Sequence, residues 1–127
     1  MTIKVATLLT CHVALGRLAA EQVASFKTAY RISRLLKRVQ AELEIADPKR
    51  IEIWKKFGTA KDDGSIQSPT DPVKVKEFSD ALKEFTESTI ETDLQPIKAS
   101  ELEEAKVTIS PADIAALGEL LEWDIKD

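Results

Sequence analysis

Between Ser25 and Gly58 the chain repeats apolar side chains at steps of three and four, and this run restricts the fold more than any other feature. Ile32, Leu35, Leu36, Val39, Leu43 and Ala46 share one side of a helix. Ser25 precedes them, and its hydroxyl can accept from an orphaned amide of the first turn. Pro48 then interrupts the pattern at "ADPKR". Proline lacks an amide hydrogen and its ring crowds the preceding turn, so two readings are open. Either Pro48 kinks one long helix, or Asp47 caps a second helix with Pro48 as its first residue. The stripe resumes in phase at Arg50 or Ile51, Trp54 and Phe57, which favours one long, bent helix ended by Gly58.

The rest of the chain supplies partners for that helix. Val5, Leu8, Leu9, His12, Leu15, Leu18 or Ala19 and Val23 form an earlier helical stripe, so the first two helices make a hairpin. "GTAKDDGSIQSPTDP" (58–72) is a linker by composition. Asp71 and Pro72 then suit the cap and first position of a third helix carrying Val75, Phe78, Leu82 and Phe85. Beyond Glu87 the period shortens to two, and segments 88–96 and 106–109 are expected to pair as a two-stranded ribbon. "ASELEEA" between them fits one or two helical turns. Ser110, Pro111 and Asp113 open a final helix, whose expected buried side is Ile114, Leu117, Leu120 or Leu121, and Trp123. The expected fold is mainly α (α+β): a long helical hairpin with a bent second helix, an acidic third helix, a short β ribbon and a C-terminal helix. At 127 residues this is a single domain, 1–127.

Several classes of chemistry find no support. Lys4, His12 and Arg17 interrupt the apolar N-terminus, which lacks the roughly 18 to 20 unbroken apolar residues of a membrane span. It also fits a signal peptide poorly. The single cysteine, Cys11, cannot form an internal disulfide and suits a reducing compartment. Cys11 and His12 are too few for a zinc site, and Asp62-Asp63-Gly64 lacks the remainder of a calcium loop. His12 on an apolar face is expected to be a half-buried structural histidine, and Glu101, Glu103 and Glu104 a solvated acidic turn. No nucleophile–base pair, phosphate loop, metal cluster or cofactor motif is visible.

Charge is distributed unevenly. Residues 1–60 carry eleven positive and five negative side chains, a balance of +6, and residues 61–127 carry seven and seventeen, a balance of −10. Lys27, Arg31, Arg34 and Arg38 follow at steps of four, three and four, on one helical face. Such a row suits phosphate neutralisation, a solvated helix face, or a match to the acidic helix 72–87, within a subunit or between subunits. The net charge of −4 opposes nucleic acid, and a solvent- or protein-facing row is favoured. An isolated ribbon leaves edges open to a neighbouring strand, so self-association is expected. Trp123 and Ile125, near the end of the chain, are the apolar residues most suited to an interface.

The order of elements carries one resemblance. Ala29-Tyr30-Arg31-Ile32-x-Arg34, Lys56-Phe57-Gly58 with Asp63-Gly64, and Ser110-Pro111-Ala112-Asp113 follow one another along nearly the whole chain. In this the sequence resembles a family of small, mostly uncharacterised helical proteins encoded by tailed phages and prophages. It departs from them at Phe57, where tyrosine is commoner, and at Pro48, inside a helix usually unbroken. The resemblance implies an origin in a phage or prophage; with no catalytic motif in view, the expected function is that of a non-enzymatic virion structural or assembly component, in the virion or the host cytoplasm. Its partners would then be other phage proteins and further copies of itself. The alternative is a phage-encoded binder of a host or replication factor that touches nucleic acid through the 27–38 face. It transfers no catalytic residue.

Overall fold

Three side-chain caps set the helical frame, each where local chemistry places it. In the computed structural model, which describes residues 1–126, the Ser25 hydroxyl accepts from the Thr28 amide at 3.3 Å and opens α2, Phe26–Phe57. Asp71 accepts from the Val73 amide at 3.0 Å and starts α3, Pro72–Glu87. Ser110 accepts from the Asp113 amide at 3.1 Å and starts α5, Pro111–Leu117. The remaining helices are α1, Val5–Ala20, and α4, Ala99–Glu104, with a 3₁₀ turn at Gly118–Leu120. Helix α2 continues through Pro48 as a single element. Pro48 and Glu44 are both exposed, so water can satisfy the Glu44 carbonyl that proline leaves without a donor.

The strands pair differently from expectation. β4 (Thr89–Glu91) falls within the expected strand, but its antiparallel partner is β1 (Thr2–Lys4), with Ile3 opposite Ile90. β5 (Ile97–Lys98) pairs in parallel with β6 (Leu121–Glu122). Residues 106–109 form no strand. Lys106 adopts a left-handed φ of 53°, and the Lys106 and Val107 amides return to the Glu103 and Leu102 carbonyls. That is a Schellman-type end to α4, which turns Val107 and Ile109 against the core rather than into a ladder. The expected linker also contains structure. β2 (Thr59–Ala60) and β3 (Ile66–Gln67) form a small hairpin around Asp63-Gly64, where Gly64 takes φ 86°.

The core gathers around α1 and the first half of α2. Leu8, Leu15 and Leu18 interlock with Ile32, Leu35 and Val39, and Leu94, Ile97, Leu117 and Leu120 close the cluster. Cys11 and Ala14 lie on this buried side, whereas Leu9 is exposed, so the covered face of α1 is rotated from the expected stripe. The rotation follows from α5, which packs beside α1. Thr10 donates to the Ala116 carbonyl at 3.0 Å, and Arg17 pairs with the buried Asp113 at 2.5 Å. Ile114 and Trp123, expected to be buried, are exposed because Leu117 and Leu120 fill the contact instead. Far from this cluster, the second half of α2 meets α3 through Trp54, Phe57 and Phe78. The Trp54 and Phe78 rings sit edge to face at 4.9 Å. Val75, also expected on the buried side of α3, is exposed.

Candidate functional site

The basic row separates into residues with different tasks. Arg31 is half-buried: its guanidinium donates to the Glu101 carboxylate and, at 3.2 Å, to the Pro96 carbonyl, which ties α2 to the start of α4. Arg38 stands 3.6 Å from the Asp93 carboxylate, which is largely solvated, so this pair is weak. Arg34 and Lys27 are exposed and have no ion-pair partner among the described residues. The acids that meet the arginines therefore come from residues 93–101. The helix 72–87, considered as their partner from charge, crosses the far half of α2 instead, where Trp54 and Phe57 receive Phe78.

Arg31, Arg34 and Arg38 converge on an open cleft of about 250 Å³. Leu35 and Ile97, both buried in the core, form its floor, while Tyr30 and Gln95 complete its lining. Tyr30 is 58% exposed and Phe26, one turn earlier, is 86% exposed. Neither was expected as a site residue. Both fall outside the apolar stripe of α2, a signal that the sequence does contain. The cleft thus combines an exposed aromatic ring, one free guanidinium and one loosely held guanidinium over a buried aliphatic floor. Tyrosine and arginine over apolar surface are the side chains that concentrate binding energy at protein interfaces. Lys27 lies outside the cleft.

Trp123 and Ile125 sit across β5 from this cleft and do not line it. Trp123 is 60% exposed and Ile125 half-buried. The segment bearing them is held on both sides. β6 pairs with β5, and the Asp124 carboxylate accepts from the Ser100 hydroxyl at 2.5 Å and the Ser100 amide at 2.9 Å. These two bonds, the hydroxyl first, hold the Asp124 carboxyl below its ordinary range. An exposed tryptophan on an anchored segment can bind without first losing chain entropy.

Cys11, His12 and Asp63 have local structural partners. The Cys11 thiol is buried against the Ala116 and Leu117 carbonyls, at 3.4 and 3.0 Å, and burial together with the Glu119 charge pushes its pKa up to about 12. It is therefore a thiol, not a thiolate, at neutral pH. His12 is half-buried, as expected, with its Nε2 3.3 Å from the Gln40 amide nitrogen. Asp63 accepts from the Ser65 hydroxyl at 2.6 Å and its amide at 3.0 Å, bonds that lower its pKa and close the hairpin turn. Among the described residues no group of three or more potential ligands is placed to hold a metal ion. No helix among them is long and apolar enough to cross a membrane. No family model matches the chain, and neither a curated protein nor a solved structure matches it.

Proposed function

We propose that this chain is a non-enzymatic binding protein that receives an acidic segment of another protein in the Arg34 cleft. Its setting is a phage particle or its assembly, in the virion or host cytoplasm, where its partners are other phage proteins. The observation that carries the binding role is the exposed Tyr30 and the unpaired Arg34 beside the apolar Leu35 and Ile97. A neighbouring acidic side chain would find a free guanidinium there, and an apolar side chain would find the exposed Tyr30 ring to pack against. The phage setting is supported by the motifs at 29–34, 56–64 and 110–113.

Nucleic acid is the competing occupant, because phosphates would also seek Arg34, Arg38 and Lys27. The negative balance of the whole chain opposes it. Calorimetric titration of structural proteins encoded beside this gene, and of duplex and single-stranded DNA across a salt series, separates the two. Protein binding lost on Arg34→Glu, with DNA affinity weaker than about micromolar near physiological salt, is the expected result. Micromolar or tighter DNA binding, abolished when Arg31, Arg34 and Arg38 become alanine, would replace the protein reading with the nucleic-acid one.

A further inference from the structure

The outer face of α1 is apolar without being covered. Ala6, Leu9, Val13, Gly16 and Ala20 follow at steps of three, four, three and four, the spacing of a helix–helix seam. Leu9 is 41% and Val13 52% exposed, and Gly16 and Ala20 are exposed as well. The only charged side chain on α1, Arg17, is already paired with Asp113. The polar side chains Thr10, His12 and Arg17 of α1 sit at the margins of this face, so its centre is an uncovered apolar strip.

Gly16 adds an independent observation. A Cβ placed there meets nothing within 4 Å, so nothing in this chain's own packing requires glycine. Glycine in a helix interior is nevertheless the poorest choice apart from proline. The absent side chain leaves room for a close approach from outside the chain. We infer that this face pairs with the same face of a second copy, the two α1 helices running antiparallel about a two-fold axis near Val13. That arrangement sets Leu9 of each copy over Gly16 of the other, large against absent, and Ala6 against Ala20.

The flanking charges fit the same arrangement. His12 lies beside Gln40 and Leu9 beside Leu43 and Glu44, so α2 runs antiparallel along this edge of α1. Glu44 borders the Leu9 end of the groove between the two helices. Lys37, one heptad earlier on the same face of α2, is also exposed and by the helical repeat falls toward the opposite end. Antiparallel pairing about a two-fold axis lays the α2 edge of each copy over the α2 edge of the other, acidic end over basic end, whereas a parallel two-fold pairing would lay it over the α5 edge and lose these contacts. Helix α1 is about 24 Å long, and with the edges of its two neighbours the footprint is roughly 500 Å² per copy. The two copies together reach about 1,000 Å², the lower limit of specific interfaces, so the dimer is expected to be concentration-dependent.

Sedimentation equilibrium of the full chain, from about 1 to 500 μM, tests this. The expected result is a shift from 14.1 kDa toward twice that mass, with a dissociation constant in the micromolar range. Val13→Glu should weaken association at least tenfold with the far-ultraviolet circular dichroism unchanged. Lys37→Glu, on the solvated surface, should weaken it by a smaller factor, and Lys37→Glu with Glu44→Lys should restore it. Arg34→Glu should leave it unchanged, so failure of the dimer and failure of the cleft are separately visible. A monomer at every concentration, or a dimer indifferent to both Val13→Glu and Lys37→Glu, overturns the assignment.

Discussion

The two halves of α2 belong to differently built regions. Along the first half, α1 lies on the helix, α4, α5 and the β5–β6 pair close the cluster, and side chains such as Leu15, Val39 and Leu117 lose essentially all contact with water. Along the second half the cover is α3 and the β2–β3 hairpin, and only Ile53 and Phe78 are buried. Both regions are built on helices, so the presence of helix is not what separates them. The first buries a contiguous apolar cluster, and the second rests on three aromatic rings and a short hairpin. The second should therefore open at a lower free energy than the first. The Arg34 cleft, Trp123 and the outer face of α1 all sit on the first region, where a binding surface is held in shape before its partner arrives.

The largest expected effect contrasts one deletion in each region. Leu15→Ala removes a fully buried side chain from the cluster and should cost about 3 to 5 kcal/mol, lowering the stability of the whole chain. Phe78→Ala should instead release α3 while the first region keeps its own transition. In a Trp123→Phe background Trp54 is the sole tryptophan, so its emission follows the α3 region while near-complete loss of circular dichroism follows the cluster. Coincident transitions in the Phe78→Ala protein would erase the distinction.

Gly58→Ala should come next. A Cβ there would meet the Ile66 side chain at 2.5 Å and the backbone oxygens of Gln67 and Trp54 at 2.7 Å. Two of these three contacts are main chain, so the hairpin must shift, at a cost of about 1 to 3 kcal/mol confined to the α3 region. Urea denaturation followed by Trp54 emission would show it. Pro48→Ala sharpens the comparison from the other side. It restores a donor for the Glu44 carbonyl inside a continuous helix and should stabilise the protein by on the order of 1 kcal/mol, with slightly more helix signal. A lower melting temperature would mean that Pro48 holds a corner that alanine loosens.

Cys11 gives the smallest effect and belongs to the cluster alone. Its folded pKa, about 12, is raised above an ordinary value near 9. A raised thiol pKa contributes stability that is fully present below 9 and is lost as pH climbs toward 12, because the unfolded chain releases its proton first. At pH 9.5 the loss should stay under about 1 kcal/mol and should vanish in Cys11→Ala. The comparison is the pH dependence of unfolding for the two proteins.

Legibility in the sequence followed the range of each interaction. The caps at Ser25, Asp71 and Ser110 and the stop at Gly58 depend on neighbours within a few residues, and all stand where the sequence places them. The run of α2 through Pro48 was legible because the stripe keeps its phase. Strand pairing was not. Thr2–Lys4 is short enough to look like the approach to α1, and its partner lies at Thr89–Glu91, across most of the chain. The two-residue pair of β5 and β6 carries too little alternation to be seen. Periodicity also tells which side chains share a face, not which face a neighbour covers. That is why Leu9 and Ile114 were assigned inward while Cys11 and Ala14 went unassigned. At the candidate site the convergence of Arg31, Arg34 and Arg38 follows from helical spacing. The Glu101 partner that occupies Arg31 is a tertiary contact with no local trace.

Native-state amide hydrogen exchange tests the two-region structure most directly. Amides in the middle of α1 and between Ile32 and Val39 should exchange only through global unfolding, with a strong dependence on denaturant. Those of α3 and of α2 from about Ile51 to Trp54 should exchange through a smaller opening at distinctly lower free energy. One common opening free energy for all of these amides would contradict it.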